Sequence, residues 1–479
     1  MRGHLDVSFS FGNAGPPSVR GGVLRVLLVG DFAAEGPGGH RPRRVDVDAL
    51  DGLVASLAPR LSLVTAAGPL SLSFAKLEDF HPDELLARVG PLQALAQTRQ
   101  ALERPDSFAA AAARLLGPSE PRPALPDAAA REAPGPSLFS SLLGANVAAP
   151  APPASDAVTD LLRRVVAPHV IPEADPQLAA LLTAVEASAS ALLREILHTP
   201  AFQQLESAWR GLERLVAHIP PEARVELWVA SCAASDLHHE LASTEDPSTT
   251  RFAELLAGNE AFSVIALAHP FGSRPEELSS LARAASLAAA RGALLLADAQ
   301  PGLFGGSLAP ASTPAPVLAD LASAWSAFRR GTAAAHVALV APRWLLRLPY
   351  GPRRNEVQGL RFDELGFSGR PDAASLLWGA GAWALVEALA CAFAEDPHAF
   401  PLEAAPDLED LPALVYEEGG ERELYPATEA WLSEAQVAAA VAAGLIPFVA
   451  DRRFARARLA RLQTAADPPQ PLAVALMNP

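Results

Sequence analysis

The chain has 479 residues, of which 50% are hydrophobic and 19% are charged. This length corresponds to about two to four domains of about 100 to 200 residues, and the apolar share allows a sizeable core. Disorder throughout the chain is excluded by the same share. The net charge of −16 disfavours a nucleic-acid-binding protein, because such proteins carry a basic face.

Cysteine usage and hydropathy exclude further classes. Cys232 and Cys391 lie far apart and form no CxxC pair, so neither a zinc site nor a disulfide framework is predicted. The N-terminus lacks the apolar core of a signal peptide, and no uninterrupted apolar run reaches the roughly 18 residues of a membrane span. We therefore expect no membrane insertion and a cytoplasmic location.

The N-terminal segment predicts strands and helices in alternation. Leu5, Val7, Phe9 and Phe11 alternate with polar residues, a period of two that predicts a half-buried strand in need of a neighbour. The run GGVLRVLLVGDF at 21–32 predicts a strand that is buried on both faces. Further along lie a short helix up to residue 57, an alternating strand at 70–74, and helical spacing of apolar residues across 80–102, interrupted by Gly90-Pro91.

A composition change then marks a linker at 117–154, where Pro, Ala and Ser dominate and little apolar surface could be buried. The next segment, 155–166, predicts a short amphipathic helix. Its apolar face contains the following residues: Val158, Leu161, Leu162 and Val165.

The remainder predicts an α/β protein. Long helices are expected at 176–198 and 200–216, followed by four apolar strands at 225–230, 263–268, 293–298 and 336–341 that alternate with helices. Such alternation favours mixed α/β layers. A mostly apolar helix is expected over 376–394.

Two arginines stand out in the apolar stretch APRWLLRLPYG at 341–351. Arg343 and Arg347 are flanked by Trp344 and Tyr350, and the companion run LLWGAGAWALVEAL, with Trp378, follows at 376–389. Burying a guanidinium without a partner costs several kcal/mol. Both arginines are therefore expected to meet carboxylates or carbonyls, either inside the fold or across an assembly interface.

No motif predicts catalysis. GFSG at 366–369 lacks the spacing of a nucleophile elbow, and no Gly-Lys-Ser/Thr follows the glycines after 30 as a phosphate loop requires. The side chains of His238 and His239 diverge, because adjacent residues do not share a face. The sequence thus predicts no enzyme, no metal and no cofactor.

Several of these motifs resemble the contractile sheath of type VI secretion systems. PRWLLRLPYG, LLWGAG, PAFQQLESAWRGL at 200–212 and PGLFGG at 301–306 are similar to the large sheath subunit, which has Phe where this chain has Trp344. VGDF, VDVDAL at 45–50 and LEDFHPDELLARVGPLQAL at 77–95 resemble the small subunit.

The resemblance implies both sheath subunits in one polypeptide. We expect a small-subunit-like domain at 1–116, a linker at 117–154, a large-subunit-like domain at 155–458 and a tail at 459–479. The fold class is then α/β, with the small-subunit unit packed on a larger α/β unit. Such a fusion would set the stoichiometry at one to one and raise the effective concentration of each half, to about the mM range.

The implied function is that of a structural protomer that assembles around an inner tube and contracts to propel it. Its implied partners are further copies of itself, the inner-tube protein, the baseplate and a AAA+ unfoldase. The strand with Leu5 and Phe9 would pair between protomers, and the helix at 155–166 would be recognised by the unfoldase. An ordinary packing role for this helix is an open alternative.

One departure from the family is visible. After the segment similar to GLIPF at 444–448, the sheath family continues for a considerable length, whereas this sequence stops at Pro479. A second function therefore stays open: a sheath-derived binding or regulatory protein that does not form a full sheath.

Overall fold

The computed structural model describes residues 22–36, 41–116, 176–258, 261–300, 303, 319–366, 369–397 and 406–472. Three predicted features lie outside these ranges: the N-terminal strand with Leu5, Val7, Phe9 and Phe11, the linker, and the helix with Val158, Leu161, Leu162 and Val165.

The described strands are, in chain order, β1 (Leu24–Gly30), β2 (Arg43–Val45), β3 (Arg60–Thr65), β4 (Gly68–Ser73), β5 (Val225–Ser231), β6 (Val264–Phe271), β7 (Leu294–Ala299), β8 (Val337–Ala341), β9 (Trp344–Leu345), β10 (Trp378–Gly379), β11 (Val415–Glu418), β12 (Glu421–Leu424), β13 (Ile446–Ala450) and β14 (Ala457–Leu459). The α-helices are α1 (Leu50–Leu57), α2 (Pro82–Arg88), α3 (Gly90–Glu103), α4 (Phe108–Leu116), α5 (Pro176–Leu197), α6 (Pro200–His218), α7 (Ala234–Ser243), α8 (Arg251–Leu256), α9 (Pro275–Ala290), α10 (Ala319–Arg329), α11 (Gly381–Glu395) and α12 (Glu434–Ala442).

The chain divides into two compact units. One, the helical unit, is Gln93–Ala189, and the other, the sheet unit, joins Met1–Leu92 to Ser190–Pro479. Within the helical unit, Leu102, Ala111 and Ala112 form an apolar cluster with Leu181 and Val185. The sequence-based boundaries at 116, 154 and 458 stay predictions.

The sheet unit is built on an eight-stranded sheet with the order β14-β13-β8-β7-β6-β1-β5-β2. The six strands from β13 to β5 run parallel, and β2 and β14 are antiparallel edge strands. With helices along the same chain, this arrangement confirms the predicted α/β class. Strand β1 is the first described strand in the chain, yet it lies in the middle of the sheet. It pairs with β5 on one side and with β6 on the other.

Apolar sequence on both faces explains the central strands. On one face, Ile265 and Leu295 share a cluster with Leu281 and Ala285 of α9. On the other face lies α11, whose Trp383 Nε1 donates a hydrogen bond to the carbonyl of Ala266 at 3.3 Å. Since helices cover both faces, the strands read as continuous apolar runs rather than as alternating ones.

The helix predicted at 376–394 is shorter at its start than expected. It begins at Gly381, because Trp378 and Gly379 pair instead as β10 with β9, antiparallel. The two apolar landmarks at 341–351 and 376–389 are therefore hydrogen-bonded to each other. Helix α11 itself is buried nearly all round, as expected for a helix without a polar face.

Gly211 of α6 should be sensitive to substitution, because a Cβ there would lie 2.7 Å from Trp383 Cε3. We expect Gly211→Ala to lower the free energy of unfolding by about 1–3 kcal/mol, the usual cost of overpacking. The measurement is urea denaturation followed by tryptophan fluorescence.

The matched control is Gly52→Ala in α1, where a Cβ would meet nothing within 4 Å. This exposed helical position should gain up to about 1 kcal/mol from the higher helix propensity of Ala. Equal effects of the two substitutions on the free energy of unfolding would contradict a close contact between α6 and α11 at Gly211.

Candidate functional site

Arg347 lies between two buried carboxylates. Its Nε donates to Glu206 Oε1 at 2.8 Å, and its Nη1 donates to Glu364 Oε2 at 2.9 Å. The side chain of Arg347 is 9% exposed, and those of the two glutamates are 0% and 2% exposed. The expectation that Arg347 meets carboxylates or carbonyls is confirmed, and of the two places expected, inside the fold or across an assembly interface, its carboxylate partners lie in the first.

Further groups complete this buried network. Arg210 Nε lies 3.7 Å from Glu206 Oε1, so two guanidinium groups face two carboxylates. His198 Nε2 lies 3.6 Å from Glu364 Oε1. The backbone N–H of Tyr350 donates to Glu364 Oε2 at 2.7 Å, and the Tyr350 ring lies under the Arg347 guanidinium at 4.3 Å. The network is thereby close to electrically neutral.

The pKa values of these groups follow from burial and pairing. Burial by itself would raise the pKa of Glu364, but Arg347, His198 and the Tyr350 N–H lower it to about 2. Burial opposes the charge of Arg347, yet Glu206 and Glu364 hold the pKa of its guanidinium well above its usual value. Burial also raises the pKa of Tyr350 to about 12. Arg347 and Glu364 are therefore both ionised in the folded protein.

Three sequence landmarks meet at this network. Glu206 belongs to α6 and Arg347 to the stretch at 341–351, while His81 at the start of α2 packs its ring edge-on against Tyr350 at 5.0 Å. Sequence reasoning did not identify Glu206 or Glu364 as the partners of Arg347. A signal for Glu206 was present, because it lies next to Leu205 on the apolar stripe of α6 that also carries Phe202 and Trp209.

Arg343 has a different environment from Arg347. Its Nε and Nη2 donate to the two oxygens of Glu429 at 3.0 and 2.7 Å, a bidentate pair. Its side chain is 47% exposed. The expected carboxylate partner is confirmed, but Arg343 is about half exposed, whereas only 9% of the Arg347 side chain is exposed.

The tryptophans of the motif join neighbouring segments. Trp344 Nε1 donates to the carbonyl of Ala380 at 3.1 Å, and Trp378 Nε1 donates to the carbonyl of Ala373 at 2.7 Å. Arg214 lies 4.9 Å over the ring of Trp344 and also forms a bidentate pair with Glu387 of α11. Arg343, Trp344, Arg347, Tyr350 and Trp378 are therefore all engaged in contacts within the chain.

Within the described ranges, no group of three or more His, Cys, Asp and Glu side chains converges closely enough to hold a metal ion. His238, one of the adjacent histidines, packs its ring on Phe271 at 4.7 Å. No helix of the described part is long and apolar enough to cross a bilayer. Ser368 of GFSG lies outside the described residues.

The fold is α/β, and the network at its centre pairs buried charged groups with one another. Residues 179–465 match the VipB family, described as EvpB/VC_A0108, tail sheath N-terminal domain. This match covers more than half of the chain, and the protein belongs to this tail sheath family.

One relative in Pseudomonas aeruginosa is the type VI secretion system sheath protein TssC1, which is 28% identical over 220 residues. The aligned region covers 43% of this chain and 44% of TssC1, so the chain spans less than half the length of that relative. These similarities confirm the predicted relationship to sheath proteins.

Replacing Arg347 should be costly. In Arg347→Met, Glu206 and Glu364 lose their shared partner while remaining buried, and we expect a loss of about 3–5 kcal/mol in the free energy of unfolding. Urea denaturation measures this loss. Arg343→Met serves as the matched control within the same stretch, and its half-exposed pair should cost about 1 kcal/mol or less. Similar losses in the two variants would show that the buried network contributes no more to the free energy of unfolding than the half-exposed Arg343 pair.

Stability should also depend on the ionisation of Glu364. Because its pKa is lowered to about 2 from an ordinary 4.5, its contribution is present above about pH 4.5 and is lost as the pH falls toward 2. Glu364→Gln lacks this titration. The difference in unfolding free energy between the wild type and Glu364→Gln should therefore narrow from pH 5 to pH 2, and a pH-independent difference would argue against an ionised Glu364.

Proposed function

We propose that this protein is a structural protomer of a type VI secretion sheath, which assembles around an inner tube and contracts to propel it. The observation that carries the proposal is the tail sheath family match over residues 179–465, together with the similarity to TssC1. The contraction of a sheath is a mechanical function. It needs interfaces between protomers with two stable arrangements rather than an active site.

The buried network supports a role for the sheet unit in passing force between protomers. Arg347, Glu206 and Glu364 come from three separate segments, and their ion pairs connect α6 to the loops that follow β8. A protomer that passes force to its neighbours requires a body that moves as a unit. Charge pairing in a medium of low polarity resists the separation of these segments.

The proposal includes the fusion of small-subunit and large-subunit segments in one chain. The central position of β1, between β5 and β6, supports it, because the N-terminal segment thereby completes the sheet of the segment that matches the family. In separate chains this strand pairing would depend on concentration. Covalent connection through 117–154 removes that dependence.

The proposed partners are further copies of this chain, the inner-tube protein and the baseplate, with a cytoplasmic location. The segment with Leu5, Val7, Phe9 and Phe11 would pair with a strand edge of a neighbouring protomer. The helix with Val158, Leu161, Leu162 and Val165 would be the element that a AAA+ unfoldase recognises.

Electron microscopy of the purified full chain, with and without the inner-tube protein, tests this function. Helical tubes are expected for the wild type, whereas deletion of residues 5–11 should leave soluble protomers without tubes, because the pairing strand is lost. The control is Ser8→Ala with Ser10→Ala, which keeps the strand backbone and its apolar face. Tubes of normal length from the deletion would refute the role of the strand.

Absence of tubes from the wild type under both conditions would favour the second function, a sheath-derived binding or regulatory protein. Co-sedimentation with preformed sheath of the same system would then distinguish a binder from an inactive preparation.

A further inference from the structure

A cavity of about 730 Å³ opens at the carboxyl edge of the central sheet. Asp31 directly follows β1, His269 lies near the end of β6, and Asp298 lies near the end of β7. All three line the cavity, together with Arg343 after β8. Four neighbouring parallel strands thus each place an ionisable side chain at the same edge.

The topology of the sheet makes this edge a recognised place for ligands. From β1 the next strand of the parallel set, β5, lies on one side, whereas β6, β7 and β8 lie in order on the other side. The order in which successive strands are added to the sheet therefore reverses beside β1, although the strands themselves stay parallel. Ligands of open α/β sheets bind outside the carboxyl ends of the strands at such a switch point, and 730 Å³ is in the range of small-molecule sites.

The charges that line the cavity are predominantly negative. Arg343 is the one Arg or Lys among the lining residues, and its guanidinium is already bound to Glu429. Asp31 Oδ1 accepts the N–H of Ala34 at 2.7 Å, and Asp298 Oδ1 accepts the N–H of Ala382 at 2.7 Å. In the described part of the chain, neither carboxyl has an ion-pair partner within 4 Å.

A second feature of the cavity is an imidazole with an unused nitrogen. His269 is 2% exposed, and its Nε2 has no hydrogen-bond partner within the described structure. Burial lowers the pKa of this imidazole to about 4, so it is neutral near pH 7 and adds no positive charge. A buried polar atom without a partner is costly unless a ligand or water completes it.

The volume of the cavity and the charges on its lining select the kind of ligand. Asp31, His269 and Asp298 do not converge as a metal site within the described residues, and the cavity is far larger than an ion. An extended cation with several N–H donors matches both the charge and the volume. We propose that the cavity binds an organic cation bearing a guanidinium or alkylammonium group, with Asp31 and Asp298 as its anionic contacts.

Binding should depend on pH through Asp298. Burial raises the pKa of this carboxyl to about 7, although the N–H groups of Ala382 and Gly381 and the charge of Arg343 lower it, while Glu429 raises it. Asp31, His269 and Asp372 also line the cavity. As the pH rises through about 7, Asp298 ionises, and a cation should therefore bind more tightly at pH 8 than at pH 6.

The test is isothermal titration of the full chain with agmatine, which carries a guanidinium and an ammonium group, at pH 8 and low salt. We expect saturable binding at one site and an affinity at least tenfold weaker in Asp31→Asn and in Asp298→Asn. Asn keeps an oxygen that can accept the backbone hydrogen bond of each aspartate. Asp246→Asn is the matched control, because exposed Asp246 likewise accepts a backbone N–H, from Ser248, but lies outside the cavity.

Two further titrations of the wild-type chain distinguish a free cation from an arginine side chain of a partner. Because they need no variant, they test the cavity even if a variant fails to fold. A blocked Gly-Arg-Gly peptide that binds more tightly than agmatine would identify an arginine side chain of a partner, and the reverse would identify a free small cation. The proposal is overturned if the wild type binds neither probe at millimolar concentration, if uncharged 1,5-pentanediol binds equally well, or if folded Asp31→Asn and Asp298→Asn retain full affinity.

Discussion

The pairing of Arg347 with Glu206 and Glu364 is the constraint on which the centre of this structure depends. A guanidinium loses several kcal/mol of solvation on burial, and only well-placed carboxylates offset that loss. Both carboxylates are themselves almost fully removed from water, so none of the three groups tolerates separation. The positions of α6 and of the segments around 347 and 364 are therefore set together rather than independently.

Parallel strand topology explains where the other polar groups lie. The central strands are apolar along their length because helices cover both faces, so charged residues are confined to the strand ends. Arg343 and Arg347 mark this division within one short stretch: Arg347 reaches the interior network, while Arg343 meets Glu429 beside the cavity at the carboxyl edge. One motif thus connects the structural core to the polar edge of the sheet.

Family membership rests on residues 179–465, yet the sheet that these residues form is incomplete without the N-terminal segment. Strand β1 precedes the matched region and fills the position between β5 and β6. Trp209 of α6 donates its Nε1 hydrogen bond to the carbonyl of Phe32, directly after β1, at 3.1 Å. The N-terminal segment is consequently part of the same core, whichever protein it resembles.

Local pattern was sufficient for part of this architecture. Apolar runs predicted the strands at 225–230, 263–268, 293–298 and 336–341, and the alternation with helices predicted the α/β class, because periodicity and burial are encoded by neighbouring residues. The cost of an unpaired guanidinium likewise predicted carboxylate partners for Arg343 and Arg347. Only the tertiary structure decided which carboxylates these are, that β1 is central, and that Asp31, His269 and Asp298 share a cavity. These outcomes join residues far apart in sequence, for example Glu206 and Arg347, 141 positions from each other, and such pairings depend on how the whole chain packs.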